Sequence, residues 1–518
     1  MNKIKILWAD DEINLLKAHV IFLEQKGYDV TITNSGNEVL DLLKDNYYDI
    51  LFLDENMPGM SGLETLDALK IAMPNIPVVM ITKSEEESIM EEAIGSNIVD
   101  YLIKPVNPNQ ILLCLKKNVE NKRIINEKTT QGYQQDFRSI SMQINDSMNF
   151  NDWVDIYRKI IFWELKLEQS QNDGMEEVIR MQRNEANSLF CRFYERNYEN
   201  WLSLKNDATP VLSHTLVKEK VMPLLENADG PLFLLLIDNL RYDQWKVIEH
   251  VISDYYRVVN DDIFYSIIPS TTQFARNAIF AGLMPGEIEK KYPKYWMNEG
   301  DEGTKNQFES ELLGEQLKRY GKKIKYSYNK ILNINSGKKL LENINNLYGN
   351  DFNVIVYNFV DMLSHARTDM DVIRELAENE SAYRSITASW FEHSPLFEII
   401  KQLATRKLNI IITTDHGSVK VTTPSRLLGD KDISTNLRYK QGKALQFDKK
   451  DVFEIKDPAK IYLPRINVST SYVFGKEAKY FVYPNNYNYF VNFYKNTFQH
   501  GGISMEEILI PFIYLTAK

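Results

Sequence analysis

Three apolar segments in the C-terminal half of the chain each lead into side chains that bind metal ions. The segment "PLFLLLID" ends in Asp238, "LNIIITTDHG" delivers Asp415 and His416, and "FNVIVYNFVDMLSHARTD" carries Asp361 and His365 just after its β-branched run. Carboxylates and imidazoles are ligands that zinc prefers. One Asp and His pair four residues apart would by itself more often only stabilise a helix. The recurrence at three segments favours a shared metal site.

Two further segments contribute the remaining candidate ligand and a candidate nucleophile. His500 precedes two glycines in "QHGG", and in "IPSTTQFARNAIF" two threonines stand just before a helical stretch. A threonine hydroxyl that faces a metal ion can be both ligand and nucleophile, and Thr272 and Thr271 are the alternatives for that role. The candidate zinc ligands are enough for two sites: Asp238, Thr272, Asp361, His365, Asp415, His416 and His500.

A set of acids near the N-terminus predicts a different metal and a different reaction. Asp10 and Asp11 follow the first apolar segment, Asp54 ends the third, and Thr82 and Lys104 end the fourth and fifth. Three carboxylates in one crevice repel one another unless a divalent cation is present, and a site of oxygen ligands suits Mg²⁺. With that cation and Lys104 drawing off negative charge, Asp54 can attack a phosphoryl donor and form an aspartyl phosphate.

The elements that must position these acids alternate between strand and helix. Strands are predicted at "KIKILWA", "DVTIT", "DILFLD", "PVVMIT" and "DYLIK", with helices at 12–26, 36–46, 61–73 and 85–95 and from Asn107. Such alternation predicts a doubly wound parallel sheet, whose functional residues meet at the carboxyl ends of the strands. The same argument brings the acids and histidines of the three C-terminal segments to one crevice.

Composition excludes several other classes of protein. The length of 518 residues suggests about three domains, and 44% hydrophobic with 25% charged residues is typical of a globular protein. A formal net charge of −10 disfavours direct binding to duplex DNA. The N-terminus is no signal peptide, and no apolar run reaches the roughly 20 residues of a membrane span. We therefore expect a cytoplasmic protein without membrane insertion.

The stretch between the two metal-binding modules has a different character. Residues 119–210 are rich in Glu, Asn, Gln, Lys and Arg, with apolar residues at helical spacing and no proline before Pro210. This pattern predicts a small helical bundle that either docks an effector or holds two modules at a fixed distance. We predict three domains: a flavodoxin-like α/β domain of five parallel strands at 1–118, the bundle at 119–210, and a second α/β domain at 211–518.

The N-terminal constellation resembles the receiver domain of two-component response regulators over residues 1–118. The resemblance implies that Asp54 is the phosphoacceptor and that a sensor histidine kinase is the phosphodonor. It implies Mg²⁺ ligands at Asp10, Asp11 and Asp54, and switch residues at Thr82, Tyr101 and Lys104.

The C-terminal pattern resembles the PglZ branch of the alkaline phosphatase superfamily over about residues 211–518, and the resemblance implies an alkaline-phosphatase-like fold. It puts one zinc ion on Asp361, His365 and His500, and another on Asp238, Asp415 and His416 with the nucleophilic threonine. In related phosphodiesterases that threonine stands three residues after a proline and ten before a glycine. By that count Pro269 and Gly282 select Thr272 over Thr271.

The order of the three domains is similar to that of the PorX-type response regulators of Bacteroidetes type IX secretion and gliding. The similarity suggests contact with a sigma factor or with the secretion machinery. We expect phosphorylation to turn a monomer into a symmetric dimer. The expected dimer face comprises the helix at 85–95, the strand ending at Lys104 and the helix after Asn107.

Two classes of function remain open. The first is a zinc phosphodiesterase controlled by phosphorylation, acting on oligonucleotides, cyclic nucleotides or other small diesters. Diesters are favoured because Arg276 is the only nearby candidate to bind the extra charge of a monoester. The second is a metal-stabilised platform for protein contact. The threonine separates the two, since a scaffold needs no hydroxyl facing two cations.

Overall fold

The structure, a computed structural model, describes most of the chain. The described residues are 3–72, 76–83, 98–144, 148–169, 173–203, 209–298, 300–321, 323–429 and 434–518. The chain divides into two compact units, one built mainly from Met1–Gln134 and the other from Gln135–Gln169 and Asp173–Lys518. The three domain boundaries expected from the sequence stay a prediction.

The smaller unit contains a parallel sheet with helices, the doubly wound fold that the alternating pattern predicted. Its strands are β1 (Lys5–Ala9), β2 (Asp29–Thr33), β3 (Ile50–Asp54), β4 (Val78–Thr82) and β5 (Asp100–Ile103), in the spatial order β2-β1-β3-β4-β5. Its described helices are a 3₁₀ turn at Ile13–Leu16 and α-helices at Lys17–Gln25, Gly36–Asp45, Gly62–Ala72 and Pro108–Leu115. Strands β3 and β4 are wholly buried. The predicted helix at 85–95 lies outside the described residues.

The region between the α/β domains is helical, as predicted. A π-helical turn at Lys116–Glu120 leads into the helix Asn121–Gln143, and the helices Phe150–Gln169 and Asp173–Ser203 follow. The last two pack against the C-terminal sheet and its loops: the hydroxyl of Tyr194, for example, donates to the backbone oxygen of Ser266 at 3.2 Å. They are thus a structural part of the larger unit. Among the described residues no helix is both long and apolar enough to cross a membrane.

The larger unit is built on a six-stranded sheet in the order β7-β19-β10-β6-β9-β8. The strands of this unit are β6 (Leu232–Ile237), β7 (Tyr256–Tyr265), β8 (Tyr326–Ile331), β9 (Phe352–Tyr357), β10 (Ile410–Thr413), β11 (Val419–Lys420), β12 (Thr423–Leu428), β13 (Tyr439–Gly442), β14 (Gln446–Phe447), β15 (Val452–Ile455), β16 (Ser471–Gly475), β17 (Lys479–Val482), β18 (Phe498–Gln499) and β19 (Leu509–Ala517). Strands β10, β6 and β9 are adjacent, parallel and buried throughout. Their carboxyl ends therefore meet at one edge, where ligands gather in open α/β sheets.

Helices cover this sheet and frame that edge. The α-helices are Met222–Glu226, Tyr242–Ile252, Asn277–Ala281, Pro285–Lys291, Glu309–Arg319, Ile334–Glu342, Phe359–Asp369, Asp371–Leu376, Glu380–Glu392, Pro395–Thr405, Tyr487–Tyr494 and Met505–Ile508. Short 3₁₀ turns lie at Ile344–Leu347 and Pro458–Ile461, and π-helical turns at Val217–Val221 and Thr272–Arg276. Strands β11 to β18 lie in the chain between the end of β10 and His500.

Candidate metal centres

The candidate zinc ligands form two adjacent groups at the carboxyl ends of β6, β9 and β10. The first group is Asp361, His365 and His500, and the second is Asp238, Asp415 and His416. Within each group the ligand atoms lie within 4.8 Å of one another. The rings of His416 and His500 stack with their centroids 4.2 Å apart, so the groups share a border. The structure thus brings together the six Asp and His residues that the sequence suggested.

The first group reaches solvent through one of its ligands. The side chain of His365 is 64% exposed, and its Nε2 lies 3.5 Å from Asp361 Oδ2. His500 Nε2 lies 3.4 Å from the other oxygen of Asp361. Asp361 and His365 are one turn apart on the helix Phe359–Asp369, as their spacing predicted. Asp361 therefore presents each of its oxygens to an imidazole.

The second group is fully buried. His416 Nε2 lies 3.7 Å from Asp238 Oδ1 and 3.7 Å from Asp415 Oδ2. Asp415 Oδ2 has no hydrogen-bond partner among the described residues. A buried carboxylate oxygen without a donor is costly. Together with the nitrogen and oxygen donors around it, this orphan oxygen fits a bound cation.

The pKa values of Asp238 and Asp361, one acid from each group, shift in opposite directions. Burial raises the pKa of Asp238 well above its usual value, although the charge of Arg276 opposes this shift. Burial also lowers the pKa of the His416 imidazole to about 4, so this ring is neutral and can ligate a metal near pH 7. Burial acts to raise the pKa of Asp361 too, but the neighbouring imidazoles of His500, His365 and His416 together outweigh it and hold that pKa below the usual range.

Thr272 is the threonine that reaches the second group. Its Oγ1 lies 3.2 Å from His416 Nε2 and 3.4 Å from Asp238 Oδ1. It is half-buried and begins the one-turn π-helix Thr272–Arg276, an irregularity that often marks functional sites. Thr271 is buried, and its hydroxyl has no hydrogen-bond partner in the described structure. The geometry therefore favours Thr272 over Thr271.

Arg276 occupies a different position from the one expected of a substrate contact. Its side chain is fully buried, with Nη1 2.9 Å from Asp238 Oδ2 and Nε 2.6 Å from Glu309 Oε1. A guanidinium without exposed surface does not present its charge to a substrate, so the expected substrate role does not fit the structure. Glu309 was not identified from the sequence. It begins the helix Glu309–Arg319 and looks there like any acid in a first helical turn.

Glycines let the loop carrying His500 approach the loop after β10. A Cβ atom on Gly417 would stand 2.0 Å from the backbone oxygen of Glu506. A Cβ on Gly502 would stand 2.4 Å from the backbone oxygen of Gly475. Only glycine permits such distances. Gly417 of "DHG" therefore lets the loop after β10 approach the segment that follows His500, and Gly502 of "HGG" lets that segment pack on the end of β16.

The N-terminal acids also converge. Asp10, Asp11 and Asp54 place ligand atoms within 4.8 Å of one another. Lys104 Nζ lies 2.9 Å from Asp10 Oδ2 and 3.0 Å from Asp54 Oδ1. Burial raises the pKa of Asp54 to about 6 despite the hydrogen bond from Lys104. An oxygen site of this kind fits Mg²⁺.

Thr82 and Tyr101, the other two residues expected to act as switches, have identifiable contacts. The Thr82 hydroxyl donates to the carboxylate of Glu55, the residue after the candidate phosphoacceptor. Tyr101 is half-buried and packs against the core that includes Leu53 and Met80. Glu55 was not identified from the sequence, where it is one more acid in "LFLDENMPG". A phosphoryl group on Asp54 would compete with Glu55 for the Thr82 hydroxyl.

Three family models match successive parts of the chain. Residues 6–116 match the response regulator receiver domain, and residues 123–202 match the PorX response regulator linker domain. Residues 216–515 match the BREX system PglZ alkaline phosphatase-like domain.

Individual relatives match the N-terminal part. The transcriptional regulatory protein ZraR of Escherichia coli O157:H7 is 31% identical over 128 residues, which are 25% of this chain and 29% of the relative. The alginate biosynthesis transcriptional regulatory protein AlgB of Pseudomonas putida is 32% identical over 123 residues, 24% of this chain and 28% of the relative. The chain thus matches less than a third of the length of these relatives. A CheY-like receiver domain protein from Methanospirillum hungatei JF-1 is 25% identical, covering 23% of this chain and 96% of that one, with a TM-score of 0.23.

Proposed function

We propose that the output of this chain, which belongs to the PglZ alkaline phosphatase-like family, is a two-zinc phosphodiesterase. The chain joins its PglZ domain to the receiver and linker of a PorX-type response regulator. The chain is a response regulator, and its receiver domain implies phosphotransfer from a histidine kinase. Its output domain is of a hydrolase superfamily. What we propose beyond this is that the metal is zinc, that the substrates are diesters, and that the protein acts in secretion.

The position of the Thr272 hydroxyl carries the proposal. It lies within 3.4 Å of ligand atoms of two different residues in the second group, Asp238 and His416. Zinc bound by the two groups would supply positive charge that favours the ionised hydroxyl and stabilises the leaving oxygen. A protein-contact platform has no use for a hydroxyl in this place.

The residues of the chain perform a two-step substitution. The Thr272 oxygen bonds to the phosphorus of a diester, and the bond from phosphorus to one alcohol oxygen breaks. That alcohol leaves with the proton of the Thr272 hydroxyl, and the phosphoryl group, which still carries the second alcohol, remains bonded to Thr272. Water then bonds to phosphorus and releases Thr272, which regains its proton, and the product monoester departs. His416 and Asp238 orient the hydroxyl through both steps.

Diesters are the favoured substrates because Arg276, the basic residue on the turn that Thr272 begins, points into the protein and away from a substrate. Arg276 pairs with Asp238 and Glu309 rather than facing solvent. A monoester carries one more negative charge than a diester and depends more on such a cation. Oligonucleotides and cyclic nucleotides are proposed as natural substrates.

Metal analysis and paired chromogenic substrates test the function. We expect two zinc ions per chain, and faster hydrolysis of bis-p-nitrophenyl phosphate than of p-nitrophenyl phosphate. Thr272→Val should lower turnover at least about 1000-fold while keeping the zinc, and Thr271→Val is the matched control. Less than one zinc per chain, a preference for the monoester, or full activity of Thr272→Val would refute it. Bound zinc without any turnover would favour the platform.

The proposed cellular role is regulation of type IX secretion, with Mg²⁺ at Asp10, Asp11 and Asp54 and a sigma factor or the secretion machinery as partner. A cytoplasmic location belongs to the same proposal. Complementing a deletion strain with the Asp54→Ala form should leave secretion into the medium defective. Normal secretion in that strain would separate the phosphorylation site from the cellular role.

A further inference from the structure

A buried pair of charged residues beneath Thr272 has no part in the reaction steps proposed above. Arg276 and Glu309 are, respectively, 0% and 1% exposed. Arg276 Nη1 donates to Asp238 Oδ2 at 2.9 Å, and its Nε donates to Glu309 Oε1 at 2.6 Å. We call Arg276 and Glu309 the clamp.

The clamp connects the nucleophile to a metal ligand through two routes. Arg276 ends the turn that Thr272 begins, so the backbone fixes their separation. The hydroxyl of Thr272 lies 3.4 Å from Asp238 Oδ1, while Arg276 holds Asp238 Oδ2. Thr272, Asp238 and Arg276 thus close a ring. Rotation of the carboxylate would break the bond on one side of this ring.

Glu309 is fixed in turn by donors on both oxygens. Oε1 also accepts from Asn306 Nδ2 at 2.8 Å, and Oε2 accepts from Lys330 Nζ at 3.0 Å and from the hydroxyl of Tyr328. A carboxylate can only accept. A glutamine at this position would therefore turn an N–H group toward a donor. Because Glu309 accepts from four donors, Arg276 among them, its carboxylate cannot rotate, and the guanidinium of Arg276 is held in one orientation.

We infer that Arg276, held by Glu309, is a positioning residue that directs the Thr272 hydroxyl and turns Asp238 Oδ1 toward His416, its partner in the second ligand group. This inference rests on the proposed function, since it assigns the clamp to the same site. The hydrogen bond from Arg276 Nη1 also fixes the Asp238 carboxyl group, so the ligand is oriented before a cation arrives. Preorganised ligands bind with less reorganisation and hold reacting groups more accurately.

Zinc affinity and steady-state kinetics of clamp variants test the inference in the full chain. In competition with a chromogenic chelator, Arg276→Met should weaken the binding of one zinc ion at least about tenfold and leave the other unchanged. Its kcat should fall about 100-fold, with KM within about threefold of wild type. Arg276→Lys should recover part of both losses, and Glu309→Gln should resemble a milder Arg276→Met.

Lys318→Met, an exposed change on the same helix as Glu309, is the matched control and should alter neither quantity. Thermal unfolding of metal-free Arg276→Lys and Glu309→Gln shows that the variants fold. Wild-type affinity for both zinc ions in Arg276→Met would overturn the inference, and so would an unchanged kcat in an active protein. If wild type binds zinc but turns over no diester, the proposed catalysis is refuted. The zinc affinities of the variants then decide by themselves whether Arg276 positions Asp238. If wild type binds no zinc, both proposals fail.

Discussion

The two candidate metal-binding regions of this chain share strand-end geometry but differ in candidate ligands and burial. In the receiver the candidate ligands are Asp10, Asp11 and Asp54, all oxygen donors, and Asp11 is exposed. In the PglZ domain each group mixes carboxylates with histidine, and the second group is fully buried. Oxygen-only sites suit Mg²⁺, which keeps several waters. Mixed nitrogen and oxygen sites suit zinc held as part of the fold.

Each region also holds one basic side chain against its acids, and the freedom of that side chain differs. Lys104 in the receiver is 13% exposed and bonds to Asp10 and Asp54. Arg276 in the PglZ domain is 0% exposed and is held by Glu309. A flexible lysine can follow a phosphoryl group when one arrives. An arginine held on both sides can only keep its neighbouring ligand in place. The receiver is therefore built as a switch, whereas the PglZ domain holds a preorganised site.

The largest effect expected from this contrast is on catalysis. His500→Ala should remove one zinc ion and lower diester turnover at least about 1000-fold, because His500 belongs to the first ligand group and borders the second. Metal analysis and turnover measure this. Phosphorylation of Asp54 should be unaffected. His393→Ala, an exposed histidine outside both groups, is the control. Two zinc ions in the His500 variant would contradict the ligand assignment.

Phosphorylation should change the assembly state without changing the zinc content. With Mg²⁺ and beryllofluoride, sedimentation should show the mass of the wild-type chain doubling, because Thr82 and Lys104 reorient toward the phosphoryl mimic. The Asp54→Ala form should stay a monomer. An unchanged mass in wild type, or an equal response in Asp54→Ala, would refute coupling between the receiver and assembly.

Acid should destabilise the larger unit through His214. Burial lowers the pKa of this histidine to about 4, below its ordinary value of 6.5. The stabilising contribution of the neutral ring is fully present above pH 6.5 and is lost as pH falls toward 4, by up to about 3 kcal/mol. Amide exchange of peptides from residues 209–298 measures this loss. His214→Gln should flatten the pH dependence, and a slope equal to that of wild type would rule out the histidine.

The metal-free receiver should respond to pH in the opposite direction, with a smaller effect. Burial raises the pKa of Asp54 to about 6 from 3.8, so the folded state binds this proton more tightly. The stability contribution is therefore present near pH 4 and is lost as pH rises to about 6. Amide exchange of peptides from residues 3–72 in chelator should show the loss. Mg²⁺ or Asp54→Asn should remove it, and an unchanged slope in the variant would exclude Asp54.

The fold class and much of the candidate site were predictable from local patterns. The alternation of apolar strands and helices predicted both α/β domains, and the strand positions of "PLFLLLID" and "LNIIITTDHG" differ from β6 and β10 only at their ends. Donors at the ends of adjacent parallel strands must lie close together. That rule placed Asp238, Asp361 and Asp415 in one crevice before any distance was known.

The sequence by itself determined which donors gather, because donor type and strand position are local properties that a single segment displays. Only the tertiary structure decided what supports them. It placed Thr272 rather than Thr271 beside His416, and it paired Arg276 with Asp238 and Glu309, which lie 38 and 33 residues away in the chain. Such pairing depends on how separate segments pack, and a buried charge takes whichever partner that packing brings within reach. No spacing rule within one segment contains that information.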